Sequence, residues 1–217
     1  MPQPQPDPQR RPDAAALTPP QIAHELARHV VGQDEAVRRM SLLVRQHGLS
    51  IGVQRANIEP LSSALRTPTV LLVGSSGSGK TLLARASASL LRTMLVMENA
   101  TSMSSVGYVG KDLDQCLAHL LARCGGSVRK AEAGTIIFFD EIDKARCTNG
   151  NTGGQTPDVA GEGIQRQLLQ IAEGMPMTIQ TFPDGRRATL TTIQTAGMWV
   201  IMAGSFAAGL ADIVRRR

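Results

Sequence analysis

Short apolar runs alternate with helix-like apolar patterns along most of the chain. The continuous apolar runs at 70–73 and 135–139 are typical of strands that are buried on both faces of a sheet. Between such runs, apolar residues recur every three or four positions, as on one face of a helix. The pattern predicts strands over 70–73, 94–98, 135–139 and 198–203, and helices over 80–91, 113–124 and 163–171. This alternation predicts an α/β fold, a three-layer sandwich with a parallel central sheet and helices on both faces.

The segment ahead of the alternating region has a different pattern. Residues 1–17 are dominated by Pro, Gln, Asp and Arg, which predicts a disordered tail. Thr18 is a suitable N-cap for a first short helix. Apolar periodicity over 34–47 predicts a second helix that ends at Gly48, followed by a connecting loop over 49–68.

Two later segments interrupt the alternation. Residues 175–196 contain β-branched residues on both sides of the turn sequence Pro183-Asp184-Gly185, which predicts an exposed hairpin or loop ahead of the last strand. Residues 148–161 are rich in Gly, Asn and Thr and are expected to be mobile. Neither segment changes the predicted fold class.

A glycine-rich segment follows the first strand of the alternating region and begins its first helix. Its sequence is Gly74-Ser-Ser-Gly-Ser-Gly79-Lys80-Thr81. Glycines let successive N–H groups and a helix N-terminus face an anion, Lys80 can reach the β- and γ-phosphates, and Thr81 can offer its hydroxyl to Mg²⁺. The alternative is an ordinary Gly/Ser turn, but the position between strand and helix favours a phosphate-binding loop. The predicted nucleotide contacts are Gly74, Ser75, Ser76, Gly77, Ser78, Gly79, Lys80, Thr81 and Leu82.

Acidic residues end the strand predicted over 135–139. Asp140 and Glu141 follow it directly, and ligands of parallel sheets bind at the carboxyl ends of the strands. We expect Asp140 to hold Mg²⁺ together with Thr81, and Glu141 to orient and polarise the water that attacks the γ-phosphate. Acidic residues after strands are common, so the prediction depends on the phosphate-binding loop upstream. The predicted catalytic residues are Lys80, Asp140 and Glu141.

The composition supports one folded domain. The chain has 217 residues, 42% of them apolar, which is enough for one sizeable core. Its net charge of +5 is spread along the chain without stacking aromatics, so we expect a solvated basic surface and no nucleic-acid partner. Cys116, Cys124 and Cys147 form no CxxC pair, which favours a reducing compartment, and the first two match the apolar periodicity of a helix core. Without a signal peptide or an apolar run near the roughly 18 residues of a membrane helix, we expect a cytoplasmic protein with no membrane partner.

Three further motifs carry a family resemblance. Gly107-Tyr108-Val109-Gly110 lies between the two nucleotide motifs, a Val30-Val31-Gly32-Gln33-Asp34-Glu35-Ala36 segment precedes them, and Gly161-Glu-Gly-Ile-Gln-Arg-Gln-Leu-Leu169 follows. Together they resemble the ClpX family of AAA+ protein unfoldases from about Thr18 to Leu210. The related unfoldase HslU carries a large insertion that this chain lacks. The resemblance implies a P-loop fold of the AAA+ ASCE class.

The resemblance also implies functional roles. ATP and Mg²⁺ would be the ligands, with Val30 and Val31 packed against adenine. Tyr108 and Val109, between Gly107 and Gly110, would lie in the axial pore of a hexamer or mixed ring and grip unfolded or tagged protein substrates.

Further family features map onto later parts of the chain. Residues 149–160 would form the second pore loop. Residues 185–187 match a basic loop at the pore entrance, although the histidine of the family is missing there. Ser205 lies next to the position of a γ-phosphate sensor.

Parts of the family pattern have no counterpart in the sequence. Ahead of Thr18 there is no four-cysteine zinc-binding domain, and past Leu210 there is no ClpP docking loop, arginine finger or small helical domain. We therefore expect a tail over 1–17, a large AAA+ ATP-binding subdomain over 18–212 and a basic C-terminal tail over 213–217. Because an arginine finger contributes about 10³ to 10⁵ in rate, we expect low autonomous ATP turnover.

Three hypotheses about function follow. The first is a ClpX-like AAA+ ATPase module of a machine that unfolds or remodels proteins and is linked to proteolysis. The second is a truncated, hydrolysis-deficient regulatory subunit that binds nucleotide within a ClpX-type ring. The third, a nucleic-acid-handling AAA+ protein, rests only on the basic charge.

Overall fold

The computed structural model describes residues 16–56, 67–101, 111–144, 159–181 and 188–206. Its helices are α1 (Pro19–Ala27), α2 (Asp34–Arg55), α3 (Lys80–Leu91), α4 (Lys111–Arg123), α5 (Val128–Glu132) and α6 (Val159–Ala172). Its strands are β1 (Val70–Val73), β2 (Leu95–Asn99), β3 (Ile136–Asp140), β4 (Pro176–Thr181), β5 (Thr189–Gln194) and β6 (Trp199–Gly204). A 3-10 turn, Thr195–Gly197, precedes β6.

Four of the strands form one parallel sheet in the order β1-β6-β3-β2. The register places Val73 beside Gly204 and Asn99 beside Asp140. All four carboxyl ends therefore meet at one edge of the sheet, and β6 separates β1 from β3. The prediction of a parallel central sheet is confirmed.

The sheet is covered on both faces, as β3 illustrates. Ile136 and Phe138 point into a core with α1, α2 and α3, whereas Ile137 and Phe139 point into a core with α4 and α6. All four side chains are fully buried. Because a strand turns successive side chains to opposite faces, this continuous apolar run indicates a central strand between two helical layers. The predicted three-layer sandwich is confirmed.

The second helix is longer than predicted. It was expected to end at Gly48 but continues to Arg55, so the prediction of a loop from residue 49 is wrong over 49–55. Gly48, Ser50 and Ile51 are buried, and their packing outweighs the cost of about 1 kcal/mol for a glycine inside a helix. Residues 57–66 of the expected loop lie outside the described residues.

The segment after α6 forms the predicted hairpin, with β4 and β5 antiparallel and Thr178 opposite Thr192. The expectation that it is exposed is wrong for one face. Met177, Ile179 and Ile193 are buried in the core that contains α4. Burial alternates along β4, so one face packs inward and the other meets solvent. The turn sequence predicted at 183–185 lies outside the described residues.

The first helix begins where the sequence predicts. Thr18 N donates a hydrogen bond to Gln21 Oε1 over 2.8 Å at the start of α1, and Leu17 is already buried in the core that contains α1. The expected core positions of Cys116 and Cys124 on α4 are confirmed, because both side chains are buried. Of the helices that the structure describes, none is long and apolar enough to cross a membrane.

Candidate nucleotide site

The phosphate-binding loop connects β1 to α3. Gly79 has φ +90° and forms the N-cap of α3, a conformation that favours glycine. The first turn of α3 therefore begins directly after the loop and points its free N–H groups toward the carboxyl edge of the sheet. Lys80 folds back over the loop, and its Nζ donates to Gly74 O at 2.6 Å and to Ser75 O at 2.9 Å.

The acidic end of β3 meets the start of α3. Thr81 Oγ1 donates to Asp140 Oδ2 over 3.2 Å, although the two residues are 59 positions apart in sequence. The other carboxylate oxygen, Asp140 Oδ1, accepts from Glu141 N at 2.9 Å. The fold therefore places a hydroxyl and a carboxylate, both oxygen ligands, in the lining of the same cavity as Lys80.

The carboxylate of Glu141 is held from two sides. Lys144 Nζ donates to its Oε1 at 2.5 Å, and Asn99 Nδ2 donates to its Oε2 at 3.1 Å. The hydrogen bond from Lys144 has the largest effect on the pKa of Glu141 and lowers it, and the hydrogen bond from Asn99 lowers it further. The carboxyl group is therefore ionised near neutral pH and able to accept a proton. Glu141 also has φ +56°, a left-handed conformation that is costly for a residue with a Cβ. Such local strain is characteristic of functional positions.

A second acidic residue ties β3 to the end of β6. Asp143 Oδ2 accepts from Ser205 Oγ at 2.7 Å and from Phe206 N at 3.2 Å. Burial opposes ionisation of Asp143, but these hydrogen bonds outweigh burial and lower its pKa. A Cβ on Gly204 would lie 2.6 Å from Asp143 Oδ1, so this close approach requires glycine.

These residues surround a cavity of about 430 Å³. The cavity is within the size range of small-ligand sites. It is lined by the loop and by both strand ends, through Ser76, Gly77, Ser78, Gly79, Lys80, Thr81, Leu82, Asp140, Glu141, Asp143, Lys144, Gly204 and Ser205. Of the predicted loop residues, Gly74 and Ser75 are not among the lining residues, but their carbonyls accept hydrogen bonds from Lys80.

A second cleft of about 580 Å³ adjoins the same loop beside β1. Its lining includes Val30, Gly79 and Lys80. Val30 is only 4% exposed and packs into the core, whereas Val31 is 87% exposed. The two predicted adenine contacts therefore differ: Val30 forms part of the wall, whereas Val31 is exposed and is not among the lining residues of this cleft.

Some predicted residues fall outside the described part of the chain. The pore-loop motif Gly107-Tyr108-Val109-Gly110 and the basic segment 185–187 are not described, and of the predicted second pore loop only the backbone of Val159 and Ala160, in α6, is described.

Three residues of the site are not predicted from the sequence: Asn99, Asp143 as the partner of Ser205, and Lys144. A polar residue at the end of a strand that adjoins β3 was the available signal for Asn99.

The described residues fit one bound Mg²⁺ ion but not a metal held by protein ligands alone. Among them, no group of three or more His, Cys, Asp or Glu side chains could hold a metal ion. Magnesium is usually held by one or two protein oxygens together with substrate phosphates and water. Thr81 and Asp140 supply such oxygens at the edge of the cavity.

Comparison with known proteins identifies relatives. The family model of the AAA domain (Cdc48 subfamily) matches residues 66–216. The chain is 36% identical over 209 residues to the ATP-dependent Clp protease ATP-binding subunit ClpX of Treponema denticola, a match that covers 94% of this chain and 48% of the relative. A protein of the same name from Borrelia duttonii is 36% identical over 205 residues, covering 92% and 46%. The chain spans about half the length of the curated relatives it matches.

Proposed function

Since the chain belongs to the ClpX family of AAA+ proteins, we propose that it binds ATP with Mg²⁺ in the cavity between the phosphate-binding loop and β3, and hydrolyses it there. Membership of this ATPase family supports nucleotide binding. The proposal assigns the reaction to particular residues.

The hydrogen bond between Thr81 and Asp140 carries the proposal. It joins the first turn of α3 to the end of β3 in the cavity that Lys80 also lines. We assign Thr81 and Asp140 to Mg²⁺ and Lys80 to the β- and γ-phosphates. When bound, Mg²⁺ neutralises phosphate charge and orients the oxygens around the reacting phosphorus.

Binding requires the Lys80 side chain to change partners. Its Nζ now donates to Gly74 O and Ser75 O. A phosphate oxygen is a stronger, charged acceptor than a backbone carbonyl, so Lys80 exchanges these bonds for charge-assisted ones. The backbone N–H groups of residues 76–81 add further donors, as expected of a glycine-rich loop at a helix N-terminus.

Glu141 is the proposed general base. Its carboxylate lines the cavity and is ionised, so it can orient water and accept its proton as the oxygen attacks the γ-phosphorus. Lys144 and Asn99 hold this carboxylate at both oxygens. Each of these oxygens can accept a second hydrogen bond, so Glu141 can bind the attacking water while both contacts are kept.

We propose the cleft beside β1 as the adenine site. Its mixed apolar and polar lining, which includes Val30, Met40 and Leu43, suits a flat heteroaromatic ring. Val31 is exposed enough to contact the ring, while Val30 stabilises the wall of the cleft.

The larger role follows from the relatives. Their name describes the ATP-binding subunit of an ATP-dependent protease. We propose that residues 18–212 form a large AAA+ subdomain that joins a ring, in the cytoplasm, and uses ATP to unfold or remodel proteins. Tyr108 and Val109, between Gly107 and Gly110, are the proposed contacts with the polypeptide.

Steady-state ATP hydrolysis with Mg²⁺, compared between the chain and Glu141→Gln, tests the proposal. We expect Glu141→Gln to lower turnover by about 10² or more while binding of a fluorescent ATP analogue stays within about twofold. Lys80→Ala is the matched control, since it should abolish binding. Tight binding without turnover in the unaltered chain would favour the rival hypothesis of a nucleotide-binding regulatory subunit. Failure to bind nucleotide would refute both.

A further inference from the structure

A strongly basic cleft of about 650 Å³ lies at the end of the sheet opposite the nucleotide site. Thr93 and Met94 line it just before β2 begins, and Thr135 lines it just before β3 begins. The nucleotide site lies instead at the carboxyl ends of these parallel strands. At about 3.3 Å per residue, the five residues of β3 separate the two sites by roughly 15 Å.

Five cationic side chains line this basic cleft: Arg55, Arg92, Arg123, Arg129 and Lys130. All five are exposed, and no Asp or Glu is found among the described residues of the lining. Within the described part of the chain, Arg55, Arg123, Arg129 and Lys130 form no ion pair. Glu132, the acidic residue of α5, instead accepts a hydrogen bond from Gln194 N.

Helix capping explains only part of this charge. The cleft lies where α2, α3 and α4 end, and Arg55, Arg92 and Arg123 stand at or just past those ends. A helix C-terminus carries about half a negative charge and is stabilised by a nearby cation. Arg129 and Lys130 lie in the last turn of α5, and the C-cap of that helix, Ala133, also lines the cleft. With Arg92 set aside, the ends of α2, α4 and α5 offset about 1.5 of the four remaining positive charges, which leaves roughly +2.5 around one cavity.

The lining of the basic cleft also includes a buried thiol. The Cys124 thiol lies there and is 7% exposed. Burial raises the pKa of this thiol, and the charges of Lys130 and Arg123 oppose that rise. Arg123 on α4 and Lys130 on α5 thus line the same ligand-sized space.

From this geometry we infer that the basic cleft is an anion-binding site, separate from the nucleotide site, for a ligand that carries several clustered phosphate groups. Four of the five cations are Arg, whose planar fork binds phosphate oxygens in pairs. The volume matches small-ligand sites, and a compact oligophosphate places four or five charges within it. No aromatic side chain is among the described lining residues, so stacking on nucleic-acid bases is not favoured.

Calorimetric titration with inorganic tripolyphosphate tests this inference. Because the phosphate-binding loop also attracts phosphates, the titration is carried out on both the unaltered chain and Lys80→Ala. We expect Lys80→Ala to retain one bound tripolyphosphate, with an affinity that falls steeply as salt is raised. Loss of all binding in Lys80→Ala would place the ligand in the nucleotide loop and overturn the inference.

Matched charge removals locate the site. Adding Arg123→Gln and Arg129→Gln to Lys80→Ala should weaken tripolyphosphate binding by about tenfold or more, since each loses a charge-assisted contact. Adding Arg85→Gln and Arg166→Gln, two exposed positions outside the lining, removes the same charge and should change affinity by less than about twofold. Equal losses of affinity in the two triple variants would indicate a general charge effect and refute the site.

Two controls separate the remaining outcomes. Arg123→Gln with Arg129→Gln in the otherwise unaltered chain should still bind the fluorescent ATP analogue, because both residues lie outside the nucleotide cavity. A failure of this site is thereby distinguishable from a failure of the proposed nucleotide function. An eight-residue polyglutamate peptide is titrated in parallel. If it binds the basic cleft more tightly than tripolyphosphate does, the cleft takes an acidic protein segment and the phosphate assignment is wrong.

Discussion

Asn99, the last residue of β2, donates a hydrogen bond from Nδ2 to Oε2 of Glu141 over 3.1 Å. Asn99 lies beside Asp140 in the sheet register, so the contact depends on β2 and β3 being parallel neighbours. The neutral side-chain amide of Asn99, at the end of β2, thus binds the candidate base Glu141, which follows β3.

Removing this amide should change the pH dependence of hydrolysis without changing nucleotide binding. The hydrogen bond from Asn99 stabilises the ionised form of Glu141 and helps to lower its pKa. Asn99→Ala should therefore move the acid limb of the kcat profile to higher pH, and Asn99→Asp should move it further by adding a like charge. Binding of an ATP analogue, measured by fluorescence titration, should stay within about twofold. If neither variant shifts the acid limb, Asn99 does not tune Glu141.

The contact between Thr81 and Asp140 predicts a specific dependence on magnesium. Thr81→Val keeps the shape of the side chain but removes the oxygen that we assign to the ion. We expect the Mg²⁺ concentration for half-maximal nucleotide binding to rise about tenfold, since a charge-assisted oxygen contact is lost. Thr81→Ser retains the hydroxyl and is the matched control. A magnesium titration that gives the same midpoint for Val and Ser would contradict the assignment.

The sequence predicts the nucleotide-binding half of the sheet best. β1 and α3 have the predicted bounds because a glycine-rich loop fixes where one ends and the other begins. β2, β3 and β6 each begin and end one residue later than predicted. The apolar run marks where a strand is buried, whereas its hydrogen-bonded ends depend on the neighbouring strands.

What the sequence does not predict depends on tertiary contacts. Gly48 indicates a helix end by local propensity, but its burial lets α2 continue. α5 has only five residues, which are too few to show the apolar periodicity of a helix. Asn99 and Asp143 act through partners 42 and 62 positions away, which only the strand order brings together.

Replacing Gly204 with alanine, which adds a single carbon, should destabilise the fold. A Cβ there would lie 2.6 Å from Asp143 Oδ1, and the carboxylate cannot move away without losing its bonds to Ser205 and Phe206. We expect Gly204→Ala to lower the free energy of unfolding by about 1–3 kcal/mol in urea titrations. Gly52→Ala is the control, because nothing lies within 4 Å of its added Cβ inside α2. That change should raise stability by about 0.5–1 kcal/mol.

His47 should make the folded state sensitive to mild acid. It is buried in α2, with its ring centroid 5.3 Å from that of Trp199. Its Nε2 lies 3.0 Å from Gly134 O, and its Nδ1 lies 3.0 Å from Thr67 Oγ1. A neutral ring satisfies both contacts, since Nε2 donates to the carbonyl and Nδ1 accepts from the hydroxyl. Burial lowers the pKa of His47 from 6.5 to about 4, against the opposing effect of the bond to Gly134.

The sign of the effect follows from this lowered pKa. Between pH 6.5 and about 4 the unfolded chain binds a proton at His47 that the folded chain does not, so stability falls as pH falls through this window. The loss at its lower end should be roughly 3 kcal/mol from this residue. Urea unfolding measured from pH 7 to pH 4 should show this decline in the unaltered chain and a shallower one in His47→Asn. His24→Asn, at an exposed position of α1, is the control. If the stability of His47→Asn declines as steeply with falling pH as that of His24→Asn, His47 is not the group that senses acid. In that case the buried ring is already protonated or can reach solvent.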